Sequence, residues 1–394
     1  CSQVMCLEWP EVPPHMLGIL SLGSACFLGP ECLSAFGLWG WQARVAAVFL
    51  DVGAVAAAYC AMVRGTPVNI PPGSLRGKNF VITGCNTGIG YETARAVAAA
   101  GATAIFACRT EARARAAMER LLQEEKGRVS EDQLLFIPLD VSSMTSVRRF
   151  AEIMEEKGID THVLILNAGV LLSSRKLSED GLEMTMASNH FGHFALTQLL
   201  LPRMLAAEAR GEAPRIVVVG SNMCYLHSRF DFTEVTAATS EEERAAFLAK
   251  PYTMFRMYGQ SKMANFLFAA ELAKRLKATG SFMLTSVVHP GDVLTEVMRD
   301  MHPLIVKLNQ SMRCVLYAFL KSCPQGAACT LHAATAPSLA EAGSQDGCGD
   351  RLLSGCPYLV RSAPAPVTRA MQDGAAAARL WDLSEKLTGV KCPI

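Results

Sequence analysis

Short apolar runs alternate with helix-length segments along most of the chain from Asn79 onward. Runs of this kind, rich in Val, Ile, Leu and Phe, are typical of strands buried on both faces of a parallel sheet. The six runs are NFVITG (79–84), ATAIFACR (102–109), LLFIPLDV (134–141), HVLILNAG (162–169), RIVVVGS (215–221) and FMLTSVVHPG (282–291). Their alternation with helices predicts an α/β fold with one doubly wound parallel sheet, helices on both faces, and ligands bound beyond the carboxyl ends of the strands. Residues 343–367 are irregular.

The first 64 residues have a different pattern, because they are apolar and almost free of charge. The 19 residues between Arg44 and Arg64, VAAVFLDVGAVAAAYCAMV, approach the roughly 20 that span a bilayer, although the central Asp51 opposes insertion. We predict a membrane anchor here, with an amphipathic or buried helix and a targeting peptide as the alternatives. More basic residues follow this segment than precede it, which predicts a cytosolic C-terminal domain.

A change of composition marks the start of the globular part. Residues 65–75 contain three Pro and two Gly, which is typical of an extended linker rather than of a core element. We therefore divide the chain into an N-terminal hydrophobic region at 1–64, a linker at 65–77 and a single catalytic domain at 78–390.

The charge balance excludes one class of partner. With 37 Lys and Arg against 36 Asp and Glu, the net charge is +1, whereas proteins that bind nucleic acid carry a strong basic excess or patch. Hydrophobic residues make up 51% of the chain and charged residues 19%, which excludes intrinsic disorder. The 14 cysteines form no C-x-x-C pair, so we expect free thiols and no metal site.

A glycine-rich turn, TGCNTGIG (83–90), joins the first predicted strand to the first helix. Glycines there let backbone N–H groups approach a pyrophosphate, and the N-terminus of the helix favours its negative charge. The second predicted strand ends at Arg109, which would meet a 2′-phosphate with charge-assisted hydrogen bonds and therefore favours NADP(H). The alternative for Arg109 is a solvated surface residue, since Arg113, Arg115 and Arg120 follow it.

Tyr258 and Lys262 lie four residues apart in a predicted helix, so their side chains share one face. A phenol has a pKa of about 10, and a neighbouring ammonium with the positive charge of an oxidised nicotinamide should lower that pKa toward the working range of an acid or base. Ser221 closes the fifth predicted strand, where its hydroxyl can bond a substrate carbonyl or hydroxyl. Asn189 is predicted to order a water that links the lysine to bulk solvent, the alternative being a polar residue that kinks its helix.

These motifs resemble, in their order and over roughly residues 78–390, the short-chain dehydrogenase/reductase superfamily. The segments CNTGIGYETAR, FACR, SNHFGHFALTQLLLP, YGQSKMANFLF and VVHPG are most similar to the group of retinol dehydrogenases and WW-domain-containing oxidoreductases. The resemblance implies a Rossmann-like fold in which Tyr258 is the catalytic acid/base and Lys262 its activator. It further implies that Ser221 orients the substrate and that Asn189 belongs to a proton relay.

The resemblance also implies a binding site for the cofactor. Asp140 would hold the adenine, and residues 290–295 would hold the nicotinamide carboxamide. The implied cofactor-binding residues are Gly84, Asn86, Thr87, Gly88, Ile89, Gly90, Arg109, Asp140, Val141, Asn167, Ala168, Gly169, Tyr258, Lys262, Pro290, Gly291 and Thr295.

Members of this group are commonly membrane-associated and act on retinoids, steroids or other lipophilic carbonyls and alcohols. We therefore predict an oxidoreductase that prefers NADP(H), with NAD(H) as the second choice, and that takes a lipophilic small molecule bound by Ser221 and Tyr258. The expected location is the endoplasmic reticulum membrane, with a plastid or mitochondrion as the alternative, and family members often form homodimers. The competing function is a membrane-tethered scaffold or redox sensor that binds NADP(H) with little catalysis.

Two further features carry expectations of their own. Residues 296–320 normally form the substrate lid in this family, and their apolar side suits a lipophilic substrate or a membrane surface, the alternative being an ordinary helix packed on the core. Cys85 lies within the glycine-rich turn. We expect it to be buried and inert, and the alternative is an oxidation-sensitive thiol.

Overall fold

A computed structural model describes residues 68–235, 237–293, 320–337 and 356–394, together with residues 53, 339 and 352–353. The strands are β1 (Asn79–Thr83), β2 (Thr103–Cys108), β3 (Leu134–Pro138), β4 (Val163–Leu166), β5 (Arg215–Val219), β6 (Leu284–His289), β7 (Leu352–Leu353), β8 (Cys356–Val360) and β9 (Ala363–Pro364). The main helices are α1 (Gly88–Ala99), α2 (Glu111–Glu124), α3 (Met144–Glu156), α4 (Gly192–Ala209), α5 (Glu241–Leu248), α6 (Met254–Ala278), α7 (Cys323–Thr335) and α8 (Gly374–Thr388). Helix α4 is entered through one α turn (Met184–Met186) and one π turn (Ala187–Phe191).

The sheet is Rossmann-like, with the strand order β3-β2-β1-β4-β5-β6-β8. Adjacent strands in this series are parallel, and Thr83 at the end of β1 lies opposite Ala107 in β2. The order reverses between β1 and β4, and in doubly wound sheets a ligand binds at the carboxyl ends of the strands beside such a reversal. The predicted α/β class and all six predicted strands are confirmed.

Each face of the sheet carries its own hydrophobic core. On one face, Ala94 of α1, Leu121 of α2 and Ala333 of α7 are fully buried. On the other face, helices α3, α4, α6 and α8 pack together, and Trp381 of α8 meets the rings of Phe194 and Phe268 at centroid distances of 5.1 and 5.9 Å. Helices on both faces hold the sheet rigid, so that the carboxyl ends of the strands keep fixed positions.

The seventh parallel strand, β8, falls within the stretch that the sequence analysis describes as irregular. Pro357 removes one backbone donor from this strand, and positive φ angles at Arg361 and Ser362 turn the chain back into β9, which pairs antiparallel with β8. Tyr358 and Leu359 are nevertheless fully buried beside β6. A short strand that contains Pro and ends in a tight turn resembles a loop in sequence.

Residues 68–77 are more closely attached to the domain than an extended linker would be. The backbone N–H of Leu75 donates to the carbonyl of Ala100, and the N–H of Thr103 donates to the carbonyl of Lys78. The side chains of Val68, Ile70 and Leu75 pack against the core on the α1 face. This part of the predicted linker therefore belongs to the folded domain.

Three sequence predictions fall outside the described residues. They are the membrane segment in residues 1–64, of which only Gly53 is described, the lid at 296–320, of which only Leu320 is described, and Thr295. In the described ranges, no helix combines the length and the apolar character that a membrane span requires. The same ranges contain no cluster of three His, Cys, Asp or Glu side chains arranged to hold a metal.

Gly192, the first residue of α4, marks a position where the fold tolerates no side chain. A Cβ built there would lie 1.8 Å from the carbonyl oxygen of Val141, in the loop after β3. We expect Gly192→Ala to destabilise the protein by about 3 kcal/mol and to lower its thermal midpoint by roughly 5–10 °C, because helix and loop must separate. Gly374→Ala is the control, since nothing lies within 4 Å of its added Cβ. Equal midpoints for the two variants, measured by differential scanning fluorimetry in detergent, would contradict this packing.

Candidate active site

A cavity of about 570 Å³ lies at the carboxyl edge of the parallel sheet. Its walls are segments at the ends of six strands, namely residues 84 and 86–90, 107–110, 139–141, 167–171, 219–223 and 289–293. Every cofactor-binding residue predicted from the sequence borders this cavity, apart from Thr295, which lies outside the described residues. Ser221 also borders it, whereas Asn189 lies behind its wall.

The glycine-rich turn forms the part of the cavity between β1 and α1. Gly84 and Gly88 have φ angles of 67° and 62°, which residues with a side chain rarely adopt. Gly90 has no room for a side chain, because a Cβ there would lie 2.5 Å from Asn167 Nδ2 and 2.7 Å from the carbonyl oxygen of Gly84. The side chain of Thr87 does not cap α1, and the first turn of α1 contains no acid. The first N–H groups of α1 are therefore available to an anion such as a pyrophosphate, so this end of the cavity fits a dinucleotide.

Asn167 and Ala168, which follow β4, tie one side of the cleft to the other. The hydroxyl oxygen of Thr83 accepts hydrogen bonds from the backbone N–H groups of Asn167 and Ala168, both at 2.9 Å. The Asn167 amide in turn donates to the Thr83 carbonyl at 2.9 Å. Gly169 follows, and a Cβ there would lie 3.7 Å from Lys262 Nζ. The ends of β1 and β4 are thus tied together, and the missing side chain at Gly169 leaves the lysine facing the cleft.

Arg109 occupies the end of the cavity beside β2. Its side chain is 66% exposed, and its guanidinium lies 3.6 Å from Asp140 Oδ2. The other carboxylate oxygen of Asp140 accepts hydrogen bonds from the backbone N–H and the hydroxyl of Ser142, at 2.9 and 2.6 Å. Asp140 is therefore held in place, while the exposed Arg109 is able to turn toward a ligand.

Arg113 borders the same end of the cavity and is a residue that the sequence analysis treats only as a surface arginine. It forms no ion pair with any residue in the described part of the chain. Arg115 and Arg120 pair instead with Glu111 and Glu124, at 2.7 and 3.6 Å, on the exposed face of α2. Arg113 lies in the first turn of α2, directly after the loop that contains Arg109, and this nearness in the chain is the sequence signal that would have identified it.

Tyr258 and Ser221 lie together at the other end of the cavity. Ser221 lies two residues after the end of β5, and its hydroxyl oxygen accepts a hydrogen bond from the N–H of Met223 at 3.3 Å. Tyr258 stands in the second turn of α6. Burial raises the pKa of Tyr258 to about 12, and a hydrogen bond from Ser221 opposes that rise. Lys262 Nζ lies 5.6 Å from the centre of the phenol ring, and the lowered pKa predicted for Tyr258 beside an oxidised nicotinamide stays a prediction.

Lys262 is buried one turn further along α6, with 3% of its surface exposed. Its ammonium donates a hydrogen bond to the carbonyl of Val219, at the end of β5, at 2.8 Å. Burial lowers the pKa of Lys262 to about 8. The lysine is thus fixed between the sheet and the cleft, and its charge is lost within the physiological range of pH.

Asn189 lies in the π turn before α4 and is fully buried. Its amide nitrogen donates to the Val170 carbonyl at 3.1 Å and to the Ser261 hydroxyl at 2.9 Å, and its amide oxygen accepts from the Val170 N–H at 2.8 Å. Ser261 is the neighbour of Lys262. The amide therefore fixes the loop after β4 against helix α6, and its role in a proton relay stays a prediction.

Several apolar residues that the sequence analysis does not single out border the catalytic end. Phe255 is 47% exposed and lies three residues before Tyr258, so that both side chains share one face of α6. Met223, Val170, Leu171 and Leu320 border the same cavity. The helical spacing from Tyr258 is a signal for Phe255, whereas the others depend on how the loops fold.

The fold and the site define a class of protein. The family model of the short chain dehydrogenases matches residues 78–232. The chain belongs to this short-chain dehydrogenase/reductase family, as the resemblance in its sequence predicts. Members of the family bind a nicotinamide dinucleotide, and the protein is an oxidoreductase that acts on CH–OH or C=O groups.

Particular relatives cover most of the chain. Retinol dehydrogenase 12 of Mus musculus is 36% identical over 332 residues, which cover 83% of this chain and 89% of that protein. Retinol dehydrogenase 14 of Homo sapiens is 33% identical over 329 residues, 81% of this chain and 88% of that protein. The WW domain-containing oxidoreductase of Gallus gallus is 35% identical over 319 residues, 79% of this chain and 68% of that protein. The crystal structure of an uncharacterised protein from Mycobacterium paratuberculosis has a TM-score of 0.57 and 31% identity, and the match covers 84% of this chain and 100% of that one.

Proposed function

We propose that the protein is an NADP(H)-dependent oxidoreductase that transfers hydride between the nicotinamide and the carbonyl or carbinol carbon of a lipophilic retinoid, steroid or aldehyde. One observation carries the proposal. Tyr258, Ser221 and Lys262 border one end of a single cavity, and Arg109 and Arg113 border its other end. The glycine-rich turn between these ends supplies the backbone donors that a pyrophosphate needs.

The two arginines favour NADP(H) over NAD(H). Guanidinium groups form charge-assisted hydrogen bonds with a phosphate, often two at once. Arg109 is exposed and paired only at 3.6 Å with Asp140, and Arg113 borders the same space. An acid that would bond a ribose 2′-hydroxyl and repel a 2′-phosphate does not stand at the end of β2, where Arg109 follows Cys108 directly.

The residues of the catalytic end bind the substrate oxygen and transfer a proton to it. When bound, the nicotinamide supplies or accepts the hydride. Ser221 donates a hydrogen bond to the substrate oxygen, and Tyr258 gives its phenol proton to the same oxygen as a carbonyl becomes an alcohol. Lys262 stabilises the phenolate that remains, because an ammonium nearby favours the charged form. Asn189 holds the loop after β4 against helix α6 and so helps to position Lys262.

The apolar rim of the catalytic end supports a lipophilic substrate. Phe255, Met223 and Leu320 border the cavity, and the exposed ring of Phe255 offers an apolar surface close to Tyr258. Two of the relatives carry the name retinol dehydrogenase, which agrees with such a substrate. The substrate class therefore includes retinal, steroid ketones and medium-chain aldehydes.

The location of the protein is a further part of the proposal. The apolar residues 1–64, with the nearly uncharged run between Arg44 and Arg64, support membrane association at the endoplasmic reticulum with a cytosolic catalytic domain. A plastid or mitochondrion is the alternative location, and a homodimer is the proposed assembly. Extraction of membranes with alkaline carbonate tests the anchor, and release of the full chain into the supernatant would contradict it.

A screen of turnover tests the proposed activity. The detergent-solubilised full chain should oxidise NADPH with at least one of all-trans-retinal, a steroid ketone and a medium-chain aldehyde, and NADH should serve less well. A scaffold or sensor would instead bind NADPH tightly and show no turnover with any of these carbonyls. Protein that binds neither dinucleotide would contradict both functions.

The charge of Lys262 predicts how the activity depends on pH. Burial lowers the pKa of Lys262 to about 8, so that its ammonium is present below that pH and lost above it. We expect kcat/KM for carbonyl reduction to be constant below about pH 7 and to fall as the pH rises through about 8, because kcat/KM reports groups of the free enzyme. Lys274→Met is the matched control and should show the same pH profile as the wild type. Lys274 lies on the same helix, but 62% of its side chain is exposed. A wild-type profile that stays flat to about pH 9.5 would contradict a role for the Lys262 charge.

A further inference from the structure

Cys85 and Cys108 form a pair of thiols directly beneath the glycine-rich turn. Their sulfur atoms are 3.8 Å apart, within hydrogen-bond distance for sulfur. Both side chains are buried, with 0% and 3% of their surfaces exposed. In the parts of the chain that the structure describes, no other two cysteines are in such contact, and these two are free thiols. The turn that carries Cys85 is the one proposed to hold the pyrophosphate.

The two thiols differ in pKa and in their position relative to the cavity. The pKa of Cys108 is lowered, because the Cys85 thiol donates a hydrogen bond to its sulfur and the backbone N–H groups of Cys85, Asn86 and Gly84 add to the effect. Burial raises the pKa of Cys85 well above its usual value. Cys108 also borders the cavity, whereas Cys85 does not. Cys108 is therefore the thiol that forms a thiolate and that a reagent in the cleft can reach. Cys85 lies farther from the cavity and is the second thiol of the pair.

We propose that Cys85 and Cys108 are an oxidation site at which a hydroperoxide forms a disulfide and thereby weakens dinucleotide binding. The Cys108 thiolate attacks the peroxide oxygen, the O–O bond breaks, and hydrogen peroxide is reduced to one water as Cys108 becomes a sulfenic acid. The Cys85 sulfur then attacks the sulfenic sulfur and the hydroxyl leaves as a second water. Two thiols and one peroxide thus give one disulfide and two waters, and a dithiol such as dithiothreitol reverses the step.

The disulfide would change the shape of the dinucleotide site. A disulfide bond is about 2.05 Å long, so the two sulfur atoms must approach by roughly 1.8 Å from their present 3.8 Å. The backbone around the turn is closely packed, since a Cβ built on Gly90 would lie 2.9 Å from Cys85 Cα and one built on Gly84 would lie 3.1 Å from Ala168. We expect the turn, which contains Cys85, to shift with its sulfur atom and to carry some of its N–H groups away from the pyrophosphate.

The effect on affinity follows from the hydrogen bonds that are lost. Loss of at least one bond to a charged phosphate should raise the Kd of NADPH roughly tenfold or more. A bound dinucleotide should in turn protect the pair, because it covers the cavity wall that contains Cys108. This part of the inference rests on the proposed function, since it requires that a dinucleotide binds at the turn.

Tryptic peptide mapping of the full chain tests whether the disulfide forms. Cleavage at Arg95 separates the two thiols, because residues 79–95 contain Cys85 as their single cysteine and residues 96–109 contain only Cys108. After treatment with hydrogen peroxide, the non-reduced digest should contain these two peptides joined, and prior addition of NADP⁺ should slow their joining. Treatment that oxidises other cysteines and leaves these two peptides unlinked would overturn the proposal.

Binding of NADPH, followed by its fluorescence, tests the consequence. The Kd of the oxidised protein should be at least roughly tenfold above that of the same sample after dithiothreitol. Cys85→Ala and the nearly isosteric Cys85→Ser should lose this reversible difference, whereas Cys392→Ala, which removes a half-buried thiol outside the cavity, should keep it. A linked pair with unchanged Kd would overturn the switch. Reduced protein that binds neither NADPH nor NADH would overturn the proposed function instead, whatever the peptide map gives.

Discussion

Tyr258→Phe is expected to lower kcat for carbonyl reduction by about 10²- to 10⁴-fold while the Kd of NADPH stays nearly unchanged. The phenylalanine keeps the ring that packs in α6 but removes the one hydroxyl that gives a proton to the substrate oxygen. Tyr258 and Ser221 border the same end of the cavity, so the substitution removes the proton donor without touching the glycine-rich turn. Steady-state rates with the best carbonyl substrate and NADPH titration measure the two quantities.

Tyr252→Phe is the matched control for this experiment. Tyr252 is also partly buried, and its hydroxyl bonds Thr185 at 3.2 Å outside the cavity. Its loss should leave kcat close to the wild-type value. Undiminished turnover by Tyr258→Phe would show that Tyr258 is not the catalytic acid.

Arg109→Ala is expected to raise the Kd of NADPH roughly 10- to 100-fold and to leave the Kd of NADH nearly unchanged. The 2′-phosphate is the group by which the two cofactors differ, and Arg109 borders the end of the cavity at which that phosphate would lie. The ion pair with Asp140 is long, at 3.6 Å, and its arginine is exposed, so its loss should cost the fold little. Titration of both cofactors against the same protein preparation measures the ratio.

Arg115→Ala is the control for the cofactor experiment. Arg115 is exposed to a similar extent, at 61%, but pairs with Glu111 on the outer face of α2. The variant should bind both cofactors as the wild type does. An equal loss of NADPH and NADH affinity in the Arg109 variant would mean that this arginine attracts any dinucleotide by its charge and does not read the 2′-phosphate.

The sequence predicts strands β1 to β6 well because each is a strong apolar run, and all of them except the edge strand β3 are buried along almost their whole length. The strand β8 escapes prediction, since Pro357 and the turn at Arg361 and Ser362 give it the local composition of a loop. Its place is decided by pairing with β6, a contact between residues about 70 positions apart along the chain. Local pattern carries no signal for such a contact.

The candidate site, like the sheet, is predictable from the sequence only in part. Its backbone positions are predictable because loops at the carboxyl ends of parallel strands meet at one edge, and the motifs mark those loops. The environment of each side chain is not predictable in this way. The pKa of Tyr258 rises through burial, the Asn189 amide is committed to Val170 and Ser261, and Cys85 meets a thiol from the next strand. These facts depend on packing between distant segments, which spacing in the sequence does not contain.

Transfer of deuterium from NADPH to the substrate is a direct test of the proposed hydride transfer. Single turnovers of the full chain are run with a reactive aldehyde from the screen and NADPH that carries deuterium at one face of nicotinamide C4, for each face in turn. We expect one of the two labelled forms to give an alcohol with one deuterium at the carbinol carbon for each NADPH consumed, and Tyr258→Phe to give almost none. Tight binding of NADPH without deuterium in any product, across all the carbonyls screened, would contradict the proposed transfer.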